Sequence, residues 1–216
     1  MTKLYIVRHC ETMGNLMHIF QGHIDLEITE LGAKQLEALK ERFDEIHIDR
    51  VFSSPLLRAK KTGYAIIGNK NIPLELDNGL IEINGGIIEG KTFDTIYKEF
   101  PDFREMWTSH PENFAPENGE KMTDAYNRIW NFILKIAKEN KGKTIACATH
   151  GGVVRCLLCK LIYNDINKLS SIDFVGNTAV SLIEFDDDLN YTLKFGNDFS
   201  HLGAELINED SKIPNK

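Results

Sequence analysis

Three short apolar runs of this chain end in residues that can do chemistry: IVRHCET at 6–12, VFSSPLLR at 51–58 and IACATHGG at 145–152. Ligands of open α/β sheets gather outside the carboxyl ends of the strands, so Arg8, His9, Arg58 and His150 can meet there. Arg58 falls in the first turn expected of its helix, and Gly151-Gly152 opens another directly after His150. Helix N-termini add unpaired backbone N–H groups and a positive dipole end, which makes Gly151 a candidate anion contact. Any one of these residues alone is an ordinary polar end to a strand. Two guanidiniums, two imidazoles and two helix ends together suit a dianion, most simply a phosphoryl group.

The adjacent pair His9-Cys10 offers two nucleophiles. Cysteine phosphatases hold phosphate on a loop whose arginine lies six positions after the cysteine. From Cys10, Cys147, Cys156 and Cys159 that position is Leu16, Val153, Ile162 and Asp165, so thiol-based transfer is unsupported. The pair Cys156-x-x-Cys159 sits in an apolar helical stripe and reads as buried packing rather than a redox or metal pair.

Strands are expected at Lys3–Val7, Arg50–Ser53, Pro73–Leu76 and Lys143–Ala148, with a hairpin formed by TAVSLIEF and YTLKF around DDDLN. Thr29 is placed to cap a helix carrying Leu31, Leu36, Leu39 and Phe43. Serine at the cap with Pro55 in the first turn predicts a second helix over SSPLLRAKKTGYAII. A long helix from Glu120 carries Met122, Ala125, Tyr126, Ile129, Ile133 and Ile136 on one stripe. The alternation implies an α/β three-layer sandwich: a mostly parallel sheet with an antiparallel edge and helices on both faces. Residues 84–118, aromatic and broken by prolines, read as a cap inserted into one domain spanning 1–216.

Composition narrows the functional classes. A formal charge of −7 argues against a nucleic-acid partner, though a locally basic pocket remains compatible with a small anionic substrate. No run approaches the roughly 18 apolar residues of a membrane span, and the N-terminus shows no apolar signal region. Four cysteines without a disulfide-scaffold density point to a cytoplasmic protein with free thiols. Oligomeric state is not legible.

The chain resembles the histidine phosphatases, the phosphoglycerate-mutase-like superfamily. Its signature Arg-His-Gly-Glu-Thr corresponds to RHCET at 8–12, with Cys10 in the glycine's place. Asn15 and Gln21-Gly22 fall where the family has its asparagine and Gln-Gly pair, and DLEITELG at 25–32 looks like D-x-x-L-T-x-x-G. SSPLLRAKKT at 53–62, LIEINGGIIEG at 80–90, ENGEK at 117–121, THGG at 149–152 and GNTAV at 176–180 follow in family order. The resemblance implies that His9 attacks phosphorus to form a phosphohistidine, while Arg8, Arg58 and His150 hold the phosphoryl oxygens. It further implies that Glu82 is the general acid and base, that Asn15, Gln21 and Gly22 serve phosphate binding, and that no metal or other cofactor is required. Glu89 is the local competitor of Glu82.

The expected activity is hydrolysis of small phosphomonoesters. The alternatives are a phosphoglycerate mutase and a weakly active phosphate-binding regulatory module. Mutases carry lysine at the position of Phe93, an arginine pair at Thr108-Ser109 and arginine at Ile19, so the hydrolase is preferred. The cap aromatics Phe93, Tyr97, Phe100, Phe103, Trp107 and Phe114 are expected mostly in core, and His18, His23, His47, His110 and His201 in surface or loop positions. Of these, His23 is a candidate for the pocket mouth. A thiol at Cys10 beside a cationic pocket is expected to oxidise easily. The polar AELINEDSKIPNK tail is expected to be partly disordered.

Overall fold

Residues 4–7, LYIV, are apolar at every position, which suits a strand covered on both faces rather than one with a wet side. The computed structural model, which describes residues 1–208, places this run in strand β1 (Thr2–Arg8). With β2 (Arg50–Ser53), β3 (Leu74–Leu76), β4 (Thr144–Thr149), β5 (Val180–Phe185) and β6 (Tyr191–Asp198) it forms one sheet in the order β3-β2-β4-β1-β5-β6. The first four strands are mutually parallel, and β5 and β6 add the antiparallel edge.

Strand alternation divides the core in two. Leu4, Ile6, Ile145 and Cys147 face one way, towards α6 (Met122–Glu139) and α7 (Gly151–Tyr163). Val7, Ala146 and Ala148 face the other, towards α2 (Glu30–Asp44) and α3 (Leu57–Ile67). The stripe on α6 is buried as its spacing requires, from Met122 and Ala125 to Ile133 and Ile136. Thr12 caps the single turn of α1 (Met13–Leu16), its hydroxyl accepting from Asn15 N, and Thr29 caps α2, its hydroxyl accepting from Gly32 N.

The ends of β1, β3 and β4 shift by one residue from expectation, α6 starts at Met122 and not at Glu120, and one helix start differs in a way that bears on the site. The helix after β2 starts at Leu57 and not at Pro55: Leu56 is its cap residue, and the Ser54 hydroxyl accepts from Leu56 N in a tight turn. Its first exposed amide, Leu57 N, is capped from a distance by the Asp25 carboxylate at 2.8 and 3.0 Å. The tail is anchored at its start. Ala204–Leu206 form a 3-10 turn, Gln35 donates to the Leu206 carbonyl, and the Asn208 amide donates to Glu11 and Asn177. The remainder of the tail read as partly disordered, residues 209–216, lies outside the described residues.

Between β3 and α6 the chain makes a short turn at Gly86–Ile88, then α4 (Phe93–Glu99), α5 (Phe103–Ser109) and a turn at Pro111–Asn113. Here Phe20, Phe103, Trp107 and Phe114 form a cluster with ring centroids 5.2–6.3 Å apart. That cluster fixes the wall above the carboxyl ends of the strands.

Candidate active site

Register assembles the site. Arg8 pairs with Thr149 across β1 and β4, and Ser53 pairs with Ala148 across β2 and β4. Three parallel strands therefore finish level, and the next residues of each, His9, His150 and Ser54, stand side by side. His9 N donates to the Thr149 carbonyl at 2.8 Å and Ser54 N to the Ala148 carbonyl at 3.0 Å, which extends the ladder one step into the site. The two imidazoles are 5.3 Å apart between centroids; His9 lines a cavity of about 580 Å³, and the fully buried His150 packs against it from behind that lining.

His9 is buried, and its Nδ1 lies 2.6 Å from the Cys10 carbonyl oxygen. A carbonyl can only accept, so Nδ1 carries the hydrogen and Nε2 keeps its lone pair for the cavity. Burial, then the Arg58 and Arg8 guanidiniums, hold the His9 pKa well below its ordinary value, so the ring is neutral near pH 7. Burial and the same arginines depress His150 in the same direction. His150 Nε2 meets the Ser54 hydroxyl at 2.7 Å, while its buried Nδ1 has no protein partner.

Arg58 is 1% exposed and held from behind. It donates to the carbonyls of Gly22 at 2.7 Å and Ile24 at 2.8 Å and to Asp25 at 3.2 Å, while its buried Nε has no protein partner. Gly22 makes this possible: its φ is +49°, and a Cβ there would lie 2.0 Å from Glu89 Oε1. Arg8 lines the cavity and donates to the Val175 carbonyl. Gly151 lets its side chain pass, since a Cβ at Gly151 would sit 3.3 Å from Arg8 Nε. An orphaned guanidinium N–H and an orphaned imidazole nitrogen at one end of a cavity are the polar atoms a bound oxyanion would satisfy.

Glu82 lies on the wall beside them. Its carboxylate accepts from Ile83 N at 2.9 Å and from Gly152 N at 3.2 Å, on the first turn of α7. Its local competitor is employed elsewhere: Glu89 Oε1 accepts from His23 N at 2.8 Å and Gly85 N at 2.9 Å and so ties two loops together. Asn15 and Gln21 also line the cavity. The Asn15 side-chain oxygen accepts from Thr12 N, which leaves its NH₂ as the donor, and Gln21 Oε1 accepts from the Thr12 hydroxyl.

Eight of the nine sequence-derived candidates line the cavity, Gly22 also acting on Arg58 through its carbonyl, and the ninth, His150, is buried against His9. Other expectations shift. Phe93, Tyr97 and Trp107 line the cavity, whereas Phe103 and Phe114 are buried in the core cluster shared with α6 and α7. His18 lines the cavity and His23 does not; His23 Nε2 lies 2.8 Å from the Glu82 carbonyl oxygen. His201 lies in a turn, as expected, and is half-buried against Arg42 and Thr178. Cys10 is fully buried and its thiol is pushed up to about 12, chiefly by burial, so it stays protonated and lacks the reactivity expected of it. Residues the sequence reading passed over also serve the site. Ser54 meets His150, Asp25 holds Arg58, and Phe20, Asp94 and Arg155 line the cavity. The Asp25 signal was present, as the first residue of the DLEITELG motif.

Among the described residues no helix is long and apolar enough to cross a membrane. Comparison with known proteins identifies what this geometry belongs to. Phosphoserine phosphatase 1 of Hydrogenobacter thermophilus is 30% identical over 213 residues, covering 99% of this chain and all of that one. The solved structure of Bacillus stearothermophilus YhfR superposes with a TM-score of 0.88 at 30% identity, over 93% of this chain and 99% of that one. A mutant phosphoserine phosphatase from Entamoeba histolytica, solved in complex with phosphoserine, superposes with a TM-score of 0.82 at 27% identity, over 94% of this chain and 100% of that one. A family model matches residues 4–198, from the first strand to the last, and the chain belongs to the histidine phosphatase superfamily, branch 1.

Proposed function

We propose that this chain is a phosphatase that hydrolyses small phosphomonoesters through a phosphohistidine on His9. One observation carries the reading: a neutral His9 whose Nδ1–H is tied to a carbonyl, with Nε2 open beside the orphaned Arg58 Nε and His150 Nδ1. Nε2 attacks phosphorus in line with the ester oxygen, and protonated Glu82 gives its proton to the departing alkoxide. Water then attacks the phosphohistidine, Glu82 takes a proton from it, and phosphate leaves with His9 restored. Arg8, Arg58 and the donors around them stabilise the charge on the transferring group. Every step uses residues of this chain, with 1–216 acting as one domain and 84–118 as its cap.

The far wall of the cavity favours hydrolysis over mutase chemistry. A mutase must grip the carboxylate of a phosphoglycerate with cations, yet the wall here offers Ile19, Phe93, Trp107, Thr108 and the carboxylate of Asp94, and the guanidinium of Arg155, which also lines it, is engaged by the carbonyls of Leu169 and Ile172. The relatives named phosphoserine phosphatases make phosphoserine the first ester to assay. The test is a panel of phosphomonoesters and 3-phosphoglycerate, without added metal, read for phosphate release and for isomerisation. Phosphate release abolished by His9→Ala and kept by Cys10→Ser is expected. The reverse mutant pattern refutes the nucleophile, isomerisation stimulated by bisphosphoglycerate supports the mutase, and inactivity across the panel supports the regulatory module.

A further inference from the structure

His150 can present either a hydrogen or a lone pair to a phosphoryl oxygen, and only the hydrogen helps. What decides is the other ring nitrogen. His150 Nε2 lies 2.7 Å from the Ser54 hydroxyl oxygen, and both residues are 0% exposed. That oxygen already accepts from Leu56 N at 3.3 Å. A hydroxyl oxygen can accept twice, so the direction is set by the hydrogen: among the described residues the Ser54 hydroxyl hydrogen has the His150 ring nitrogen as its one acceptor, and the neighbouring Ser53 hydroxyl donates to the Ser54 backbone carbonyl instead.

We propose that Ser54 is a positioning residue: its hydroxyl donates to His150 Nε2 and so fixes the Nδ1–H tautomer, which aims a donor at the phosphoryl site. The inference rests on the phosphoryl-transfer reading of the cavity. With Nε2–H instead, two things go wrong at once. The serine hydrogen is left buried without an acceptor, and the Nδ1 lone pair faces the oxyanion. With both nitrogens protonated the serine hydrogen is orphaned again, and burial and the Arg58 guanidinium oppose the charge. Only the neutral Nδ1–H ring satisfies Ser54 and leaves one unpartnered donor, which is the orphan observed at Nδ1. The arrangement also explains why the turn after β2 departs from a simple helix cap. Serine at this place holds both the turn, through Leu56 N, and the histidine of the neighbouring strand.

The experiment is long-range ¹H–¹⁵N correlation of the histidine rings in the free protein near neutral pH, with signals assigned by their loss in His9→Ala and His150→Ala. His150 is expected to show a protonated Nδ1 and a bare Nε2. A protonated Nε2 in the wild type overturns the proposal, and this arm needs no variant of Ser54 to fold. In Ser54→Ala the signature is expected to become mixed and kcat/KM to fall about tenfold, the scale of one buried hydrogen bond. Ser54→Thr, which keeps the hydroxyl, is expected to restore both. A pure Nδ1–H signature with wild-type kcat/KM in Ser54→Ala also overturns it. The spectra are read without substrate, so a chain that hydrolyses nothing yet shows the Nδ1–H ring defeats the phosphatase reading and leaves the Ser54 contact standing.

Discussion

Gly152→Ala tests whether Glu82 works from the position in which it is held. A Cβ on Gly152 would stand 2.7 Å from Glu82 Oε1 and 2.9 Å from Ile83 Cδ1, against 3.4 Å for ordinary contact. The carboxylate must retreat by about 0.7 Å, and it loses or lengthens its bond from Gly152 N. One hydrogen bond is worth about 1 kcal/mol, and displacing a reacting group by close to 1 Å costs up to about 10²-fold. We expect kcat/KM for an alkyl phosphate such as phosphoserine to fall roughly 30- to 100-fold, up to the lower edge of the 10²–10⁴-fold range of a lost general acid, since the acid is displaced and not removed. Stability should hold, because alanine in the first turn of α7 is a better helix former than glycine by about 1 kcal/mol. The assay pairs phosphoserine with an aryl phosphate whose phenolate leaves with little protonation, and the aryl ester should lose far less. In the double variant Gly152→Ala, Glu82→Gln the alanine should cost nothing further, since its target is already disabled. A loss that multiplies with that of Glu82→Gln, or one equal for both esters, refutes the reasoning.

Acid should destabilise the fold through its buried histidines. The folded pKa of His201 is pulled down to about 4, first by burial and then by Arg42, and those of His9 and His150 lie well below 6.5. Below about pH 6.5 the unfolded chain binds protons that the folded one refuses, so this stability is complete above 6.5 and is lost as pH falls towards 4. Urea midpoints measured across that window should drop, and His201→Gln should flatten the slope; an unchanged slope removes His201 from the account. Cys10 should resist peroxide and iodoacetamide in the folded protein at neutral pH, read by intact mass, and modification in step with loss of activity contradicts its burial. Phe114→Ala should cost about 3–5 kcal/mol, because Phe114 is 2% exposed among Phe20, Phe103 and Trp107. Chemical denaturation followed by Trp107 fluorescence measures it, and a cost under about 1 kcal/mol means the cluster collapses around the gap.

Parts of this site were legible in the chain because strands have a fixed rise and a fixed exit. Once IVRH, VFSS and CATH are read as buried parallel strands, their carboxyl ends must lie at one edge, and Arg8, His9 and His150 follow. Arg58 follows with a small error, since a helix beginning at Leu57 instead of Pro55 still holds residue 58 in its first turn. Loops obey no such period. Glu82 and Glu89 are seven positions apart in one irregular stretch, and no spacing rule separates a carboxylate facing a cavity from one tying two loops together. Only the resemblance to the family favoured Glu82. The same limit hid His18 and misplaced His23, because a local turn with φ of +51° at His18 decides which ring reaches the cavity.

The supports of the site were harder to read than the site itself, for a physical reason. A nucleophile or a phosphate clamp announces itself by residue type, whereas a support is defined by its partner. Asp25 is thirty-two residues from the amide it caps and thirty-three from the guanidinium it pairs, and Ser54 is ninety-six from the imidazole it touches. Cys10 shows the converse. Beside His9 and Arg8 its type and neighbours in sequence announce a reactive thiol, but the side chain is buried, and burial outweighs the nearby positive charge. Electrostatic proximity along a chain predicts reactivity only when the group also shares the solvent or cavity with those charges. His9 and Cys10, one residue apart, fall on opposite sides of that condition.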